Sequence, residues 1–516
     1  MAVQRPRRKR KKAFIDQEPA IELDDRSIVS TDVKKSIYLI QNIWKNCDDF
    51  KYYEINIQGV IAMVVFIKGI VNMDQFETGI MEPLTKFSET IVSIADLKMA
   101  LSITPINEEN DMNAINQAIA DGNVILLVNG EKQALIIDIS SLPTRAIDVP
   151  QVEPSTQGPQ ESFVENLEIN FPLIRKRLRT PRLKSVSIRI GRITKTTLLV
   201  SHIEGVANPQ IIDAVLGRIK QIDIDGILDT NYIREMILEQ RYTPFRTSEV
   251  TERPDRTVAA LLQGRIVIMV DGAPSAITVP MVFVSGLTSA EDYYNQYIVV
   301  AQLRFLRHIT YWTSLLLPAL YVALLSYHAN LIPTPLLISL VTQHEGIPFP
   351  NVVEALLMQG AFEAIREAGV RLPKMVGQSV SIVGALIIGD AAVKASLVSP
   401  GMVIVVAAAG VASFTIPSQD LVNANRLLQF PFIIAASLLG LFGIITLGLV
   451  LVIHMVSLQS FGIPYMSPIA PFSSGALRDT LVRAPWWTMN GRQRMYRPLD
   501  NQRNQKPNPL QDYGQR

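Results

Sequence analysis

The sequence predicts an α/β soluble region, built as two copies of one unit, followed by an all-α, multi-spanning membrane domain. Three observations carry this. Only 19% of the 516 residues are charged, below the quarter usual for a soluble domain. Residues 377–458 are almost free of charge and rich in Gly, Ala, Val, Ile and Leu. At roughly 20 apolar residues per crossing they suffice for three crossings, and their small residues suit helices packed closely in lipid. Finally, glycines recur at matched spacing: Gly69 and Gly205 stand 136 residues apart, Gly122 and Gly264 142, and Gly130 and Gly272 142. The stretch IKGIVNMDQF also answers to IEGVANPQII. Two copies of one unit explain this; a short-period solenoid does not.

Residues 1–30 are polar and aperiodic, and read as a disordered tail. Residues 5–12, RPRRKRKK, are nearly all basic. Anionic lipid or nucleic acid could attract them, but no aromatic residues are interleaved, so no nucleic-acid partner is expected. No apolar run follows this head, so it is not read as a signal peptide. Cys47 is the single cysteine, which excludes an internal disulfide framework and a cysteine metal cluster.

The first soluble subdomain is expected over 31–142. Val33, Ile37, Ile40 and Trp44 recur at helical spacing, with Thr31 or Asp32 as N-cap. YYEINI and VIAMVVFIKG read as strands, and 73–86 as a helix. Asn129-Gly130 between two apolar runs predicts a hairpin. Residues 143–159, rich in Pro, Ser, Thr and Gln, read as a linker. The second subdomain, 160–292, repeats the pattern. It has a helix over 163–179, strands at 186–190 and 197–203, a helix at 209–221, and a hairpin at Asp271-Gly272.

The membrane domain is expected over 293–470, with four crossings: 309–327, 378–394, 400–416 and 430–457. The last is long enough that it should tilt, or kink near Pro431 and the Gly440/Gly443 pair. Between the first two lies a moderately apolar region. It reads as a structured loop with an amphipathic helix over 350–368 at or outside the far surface; a fifth, partial crossing there is the alternative. Residues 471–516 form a tail rich in Arg, Gln and Pro. Basic residues at both ends place both termini in the cytoplasm.

No catalytic constellation appears. The five histidines have no metal spacing, and no phosphate loop or nucleophile elbow is present. The chain is therefore read as membrane machinery that needs no cofactor or metal, not as an enzyme. The best pore-wall candidate is 378–394, whose small or polar face carries Gln378, Ser381, Gly384 and Ile388. Asp390, a carboxylate within a crossing, either faces water or pairs with Lys394 four residues on; both readings stay open. Glu345, Glu354 and Glu363 in the outer region are candidates for a cation-concentrating vestibule or a merely solvated face.

The longer motifs carry a resemblance. They include GPQESFVENLEINFPLIRKRLRTPRLK (158–184), TERPDRTVAALLQGRIVIMVDGAPSAITVP (251–280), EGIPFPNVVEALLMQGAFEAIREAGVRLP (345–373), GQSVSIVGALIIGDAAVKASLVSPGMVIVV (377–406) and RAPWWTM (483–489). In these the chain resembles the A subunit of GerA-type spore germinant receptors over about 31–489. The basic head and the tail depart from the family pattern, and Asp390 stands where an uncharged Gln is expected. The resemblance implies a subunit of the inner membrane of the bacterial spore, working with a transporter-like B subunit and a lipoprotein C subunit. It also implies self-association into a ring that forms a nutrient-gated channel for monovalent cations. A membrane-anchored scaffold is the main rival, and a secondary transporter a weaker one, since no inverted repeat is visible.

Overall fold

The computed structural model describes residues 28–86, 94–101, 103, 105–141, 150, 153–371, 389–473, 477 and 479–503. Two compact units emerge. One joins residues 1–146 with 168–187, the other 147–167 with 188–516. These divide differently from the expected boundaries: residues 188–292 pack in one unit with the apolar helices that follow them.

In the first unit, α1 (Val33–Ile43) begins where Asp32 accepts a hydrogen bond from the Lys34 N–H at 3.0 Å, satisfying a donor the first turn leaves open. Strands β1 (Phe50–Ile57) and β2 (Val60–Ile67) form a hairpin. Two short helices follow, α2 (Met73–Phe76) and α3 (Glu82–Lys86), joined by a π turn at Glu77–Met81. Next come α4 (Ile94–Ala100), β3 (Ile106–Glu109), α5 (Met112–Asp121), β4 (Val124–Val128) and β5 (Ala134–Ile137). The antiparallel sheet runs β1-β2-β4-β5-β3. Both faces of its central strands are covered: Ala62, Val64 and Phe66 enter one apolar cluster, Met63, Val65 and Ile67 the other. A strand buried on both sides loses the alternation that otherwise marks a strand. Helix α6 (Leu167–Arg177) belongs to this unit. Its Arg175 is fully buried and grips Asp49 through two bonds of 2.8 and 2.9 Å.

The second sheet contains β6 (Leu183–Ile190), β7 (Thr196–Ile203), β8 (Glu249–Thr251), β9 (Ile266–Val270) and β10 (Ala276–Val279). Its order is β6-β7-β9-β10-β8, position for position that of the first. Helices α7 (Pro209–Lys220), α8 (Thr230–Met236) and α9 (Pro254–Leu262) accompany it. The paired glycines have a common reason. Gly122 (φ 100°) and Gly264 (φ 84°) end the helix before the central strand, and Gly130 (φ 97°) and Gly272 (φ 87°) turn the hairpin after it. Each sits in the left-handed region where a side chain is strained. The sequence reading missed α4, α5, α8, α9, β3 and β8; the two strands are short and largely polar.

Among the described residues the helices that follow include α10 (Tyr297–Tyr327), α11 (Thr334–His344), α12 (Asn351–Arg371), α13 (Pro400–Phe414) and α14 (Gln419–Ser457). By length and composition α10 and α14 are long and apolar enough to cross a membrane. Their shared core holds Tyr311, Leu315, Ala319, Met402, Val406 and Phe432. Leu438, Phe442 and Ile445 are about two-thirds exposed on the outside.

Two findings bear on the sequence reading here. Of the two expectations for the last crossing, a tilt or a kink near Pro431 and the Gly440/Gly443 pair, the kink is present: α14 is broken at Gly440, whose φ of 61° and ψ of −140° no helix contains. A Cβ on Gly443 would lie 2.1 Å from the carbonyl oxygen of Ala435. Residues eight apart in a continuous helix are about 12 Å apart, so the chain doubles back into a helical hairpin. By contrast, α12 does not lie as a loop helix outside the bundle. Asn351 reaches Ser326 of α10 at 3.3 Å and Gln359 reaches Gln429 of α14 at 2.5 Å. Thus α12 runs down the side of the bundle, with Ala355 and Gln359 buried.

Candidate functional site

The bundle interior is held by polar contacts at its helix defects. Pro318 lies inside α10. It has no N–H, so the Ser314 carbonyl four residues earlier loses its helical partner. Gln429 of α14 donates to that carbonyl at 2.6 Å, and Gln359 of α12 donates to Gln429 at 2.5 Å. One level away, Asn425 donates to the Tyr311 carbonyl at 3.1 Å and to Ser314 Oγ at 3.0 Å. Ser314, Gln359, Asn425 and Gln429 are all buried, where an unmade bond would cost several kcal/mol in lipid. At the break in α14, Tyr327 Oη donates to the carbonyls of Ser437 and Leu438 at 2.8 and 3.2 Å. These are groups that a continuous helix would have satisfied itself.

The vestibule candidates separate. Glu354 is fully buried. It accepts from the Ser399 N–H and Oγ, both at 2.9 Å, at the start of α13, and His344 Nδ1 of α11 lies 2.9 Å away. A carboxylate there complements the positive end of the helix. Glu363 pairs with Arg366 at 3.0 Å and lies 3.5 Å from Arg426. Glu345 is exposed, just after α11. Glu354 therefore joins three helices. Its partners lie 10 and 45 residues away, a pairing no local pattern reveals.

Of the pore-wall candidates, Gln378, Ser381, Gly384 and Ile388 lie outside the described residues. Asp390 is described. It pairs with Lys394 at 2.7 Å, and the two side chains are 57% and 75% exposed. The local i,i+4 pair is present, on an outward-facing helical turn.

The helices are tied to other parts of the same unit at two points. Arg234 of α8 donates to Asp420 at the start of α14 (3.1 Å through Nη1) and to Ser248 Oγ at 2.9 Å. Arg304, near the start of α10, is fully buried. It bonds Asp292 at 3.1–3.2 Å and Asp479 at 3.0 Å. Neither arginine carried a sequence signal, because each partner is remote or lies across a loop.

The family profile described as "Bacillus/Clostridium GerA spore germination protein" matches residues 38–495. The chain belongs to the GerA spore germination protein family. A Bacillus subtilis (strain 168) relative described as the uncharacterized membrane protein YfkQ is 40% identical, covering 94% of this chain and 96% of its own. Spore germination protein KA of the same organism is 38% identical, covering 87% and 84%. The crystal structure of the N-terminal domain of the A subunit of the Bacillus megaterium spore germinant receptor GerK3 is similar at 28% identity. It covers 50% of this chain and 98% of that one, with a TM-score of 0.40.

In this GerA family member the second unit also holds a cavity of about 200 Å³ beside its sheet. Glu249, Arg256, Arg265, Tyr293, Trp486 and Tyr496 are among its lining. Burial pushes the Glu249 carboxyl up, but the adjacent Arg256 and Arg265 outweigh it and hold the group at about 2. In the first unit, burial pushes the Cys47 thiol up to about 11 despite nearby Arg175 and Lys184. It is a packed thiol, not a nucleophile. Among the described residues no group of three or more His, Cys, Asp or Glu is placed to hold a metal ion.

Proposed function

We propose that this GerA family member is the membrane subunit of a nutrient-responsive germination receptor in the spore inner membrane. Its copies assemble into a ring that conducts monovalent cations. It works beside a transporter-like B subunit that senses nutrient and a lipoprotein C subunit, with both termini in the cytoplasm. The observation that favours conduction is the described turn 389–394, where the Asp390 and Lys394 side chains are 57% and 75% exposed. Charged groups left open on one subunit are available to a channel formed between several. Gating then draws on nutrient binding elsewhere in the receptor. Shifting a gate from 1:99 to 99:1 takes about 5.5 kcal/mol of differential binding, which several coupled subunits share more readily than one. Arg234–Asp420 is the tie through which the α/β part would follow the helices.

The test is cation flux from liposomes holding this subunit with its B and C partners. Nutrient should trigger flux, and Ser381→Trp should abolish or alter it while the complex still assembles. A scaffold would be indifferent to that substitution. Absence of nutrient-dependent flux from an intact complex would overturn the proposal.

A further inference from the structure

Both ends of the α14 hairpin meet α8 and the loop that follows it. At the start, Asp420 is held by Arg234 of α8 and shares a groove with loop residues Leu238, Arg241 and Arg246. At the finish, His454 Nε2 lies 2.9 Å from Thr243 Oγ1, and Gln240 Nε2 donates to the Ser457 carbonyl at 3.5 Å. The loop 237–247 therefore marks the level at which the apolar hairpin begins and ends. It carries Tyr242, which is 100% exposed, an aromatic poised as interface residues are. Between this loop and the first turns of α14 lies a groove of about 480 Å³, lined by Leu238, Arg241, Arg246, Asn423 and Leu427 among others.

The charges in the groove leave a cation over. Asp420 is neutralised by Arg234, and Glu235 lies 3.4 Å from Arg246. Among the described residues Arg241 has no ion-pair or hydrogen-bond partner. Above the groove, Leu427 is 63% exposed, and the exposed faces of Ile434 and Leu438 continue the strip along the same helix arm. A site that is cationic below and apolar above matches an amphiphile with an anionic head, not a free ion or a peptide.

We propose that this groove binds the headgroup of an anionic phospholipid, its phosphate on Arg241 and Arg246 and its acyl chains along Leu427, Ile434 and Leu438. The proposal rests on the membrane reading given above. Bound lipid would fasten the soluble loop to the bilayer at the point where both ends of α14 emerge.

The experiment uses the full chain purified in detergent, with lipid binding followed by native mass spectrometry and thermal melting. Phosphatidylglycerol should be retained and raise the melting temperature, and phosphatidylcholine should not. Arg241→Ala, at an exposed site, should weaken apparent affinity roughly fivefold, and Arg241→Ala with Arg246→Ala more, since each juxtamembrane cation contributes about 1 kcal/mol. Three results would overturn the proposal: equal effects of the two lipids, a folded double variant that keeps the preference, or inorganic phosphate alone reproducing the stabilisation. Alkaline carbonate washing of membranes separates the two readings. A chain that washes off refutes the membrane reading and this proposal together. A chain that stays inserted yet shows no lipid preference refutes the headgroup site alone.

Discussion

Replacing glycines of α14 by alanine tests the hairpin directly, because the sign of the effect depends on it. At Gly440 an alanine must adopt φ near 61° with ψ near −140°, which costs on the order of 1–3 kcal/mol. Its Cβ would also crowd His328 Cε1 at 3.0 Å and Tyr327 Cβ at 3.1 Å, for a total of about 2–4 kcal/mol. Gly443→Ala should be at least as damaging, since its Cβ meets a backbone oxygen at 2.1 Å rather than a side chain that can turn away. A Cβ on Gly448 would have no neighbour within 4 Å, so Gly448→Ala should stabilise by about 0.5–1 kcal/mol through helix propensity alone. Thermal and denaturant unfolding in detergent, read by circular dichroism and tryptophan fluorescence, would rank the three. In a straight α14 all three alanines would be stabilising to a similar degree. Finding Gly440→Ala and Gly443→Ala as stable as Gly448→Ala would therefore refute the fold-back.

Three other outcomes are expected. Glu354→Ala should cost about 2–3 kcal/mol, since Ser399 loses a charged acceptor for both its N–H and its hydroxyl, with Glu354→Gln intermediate; equal melting of all three proteins would contradict the buried staple. The Cys47 thiol, at about 11 against an ordinary 9, should react with iodoacetamide at pH 8 about a hundredfold more slowly than in the unfolded chain; equal rates would show an open site. Glu249 is held at about 2 against an ordinary 4.5. A depressed carboxyl contributes its stability above the unfolded value and loses it as pH falls, here from 4.5 toward 2. That loss is on the order of 3 kcal/mol. Glu249→Gln should flatten unfolding against pH in this window, and an unchanged slope would count against the ion-pair network.

Much of the soluble fold is legible because its constraints are local. Positive-φ turns demand glycine, and so the matched pairs Gly122/Gly264 and Gly130/Gly272 expose two sheets of one order. Central strands are apolar throughout and stand out even without alternation. What stayed hidden was short or remote: β3 and β8 carry too few apolar residues to register. Glu354 reads as solvated until Ser399 and His344 are brought to it. Arg304 reads as one more surface cation, although Asp292 and Asp479 bury it completely.

By itself, then, the sequence determined the class of this protein, its repeated α/β plan, its apolar helices and its family. Those follow from composition, period and glycine chemistry, which neighbours along the chain decide. Tertiary structure alone decided that α14 is a hairpin, that α12 packs beside it, and which polar groups repair the gaps left by Pro318 and Gly440. The reason is physical. A helix break or a buried carboxylate is tolerated only where a partner from elsewhere in the chain completes its hydrogen bonds, and such partners are chosen by packing, not by spacing in sequence.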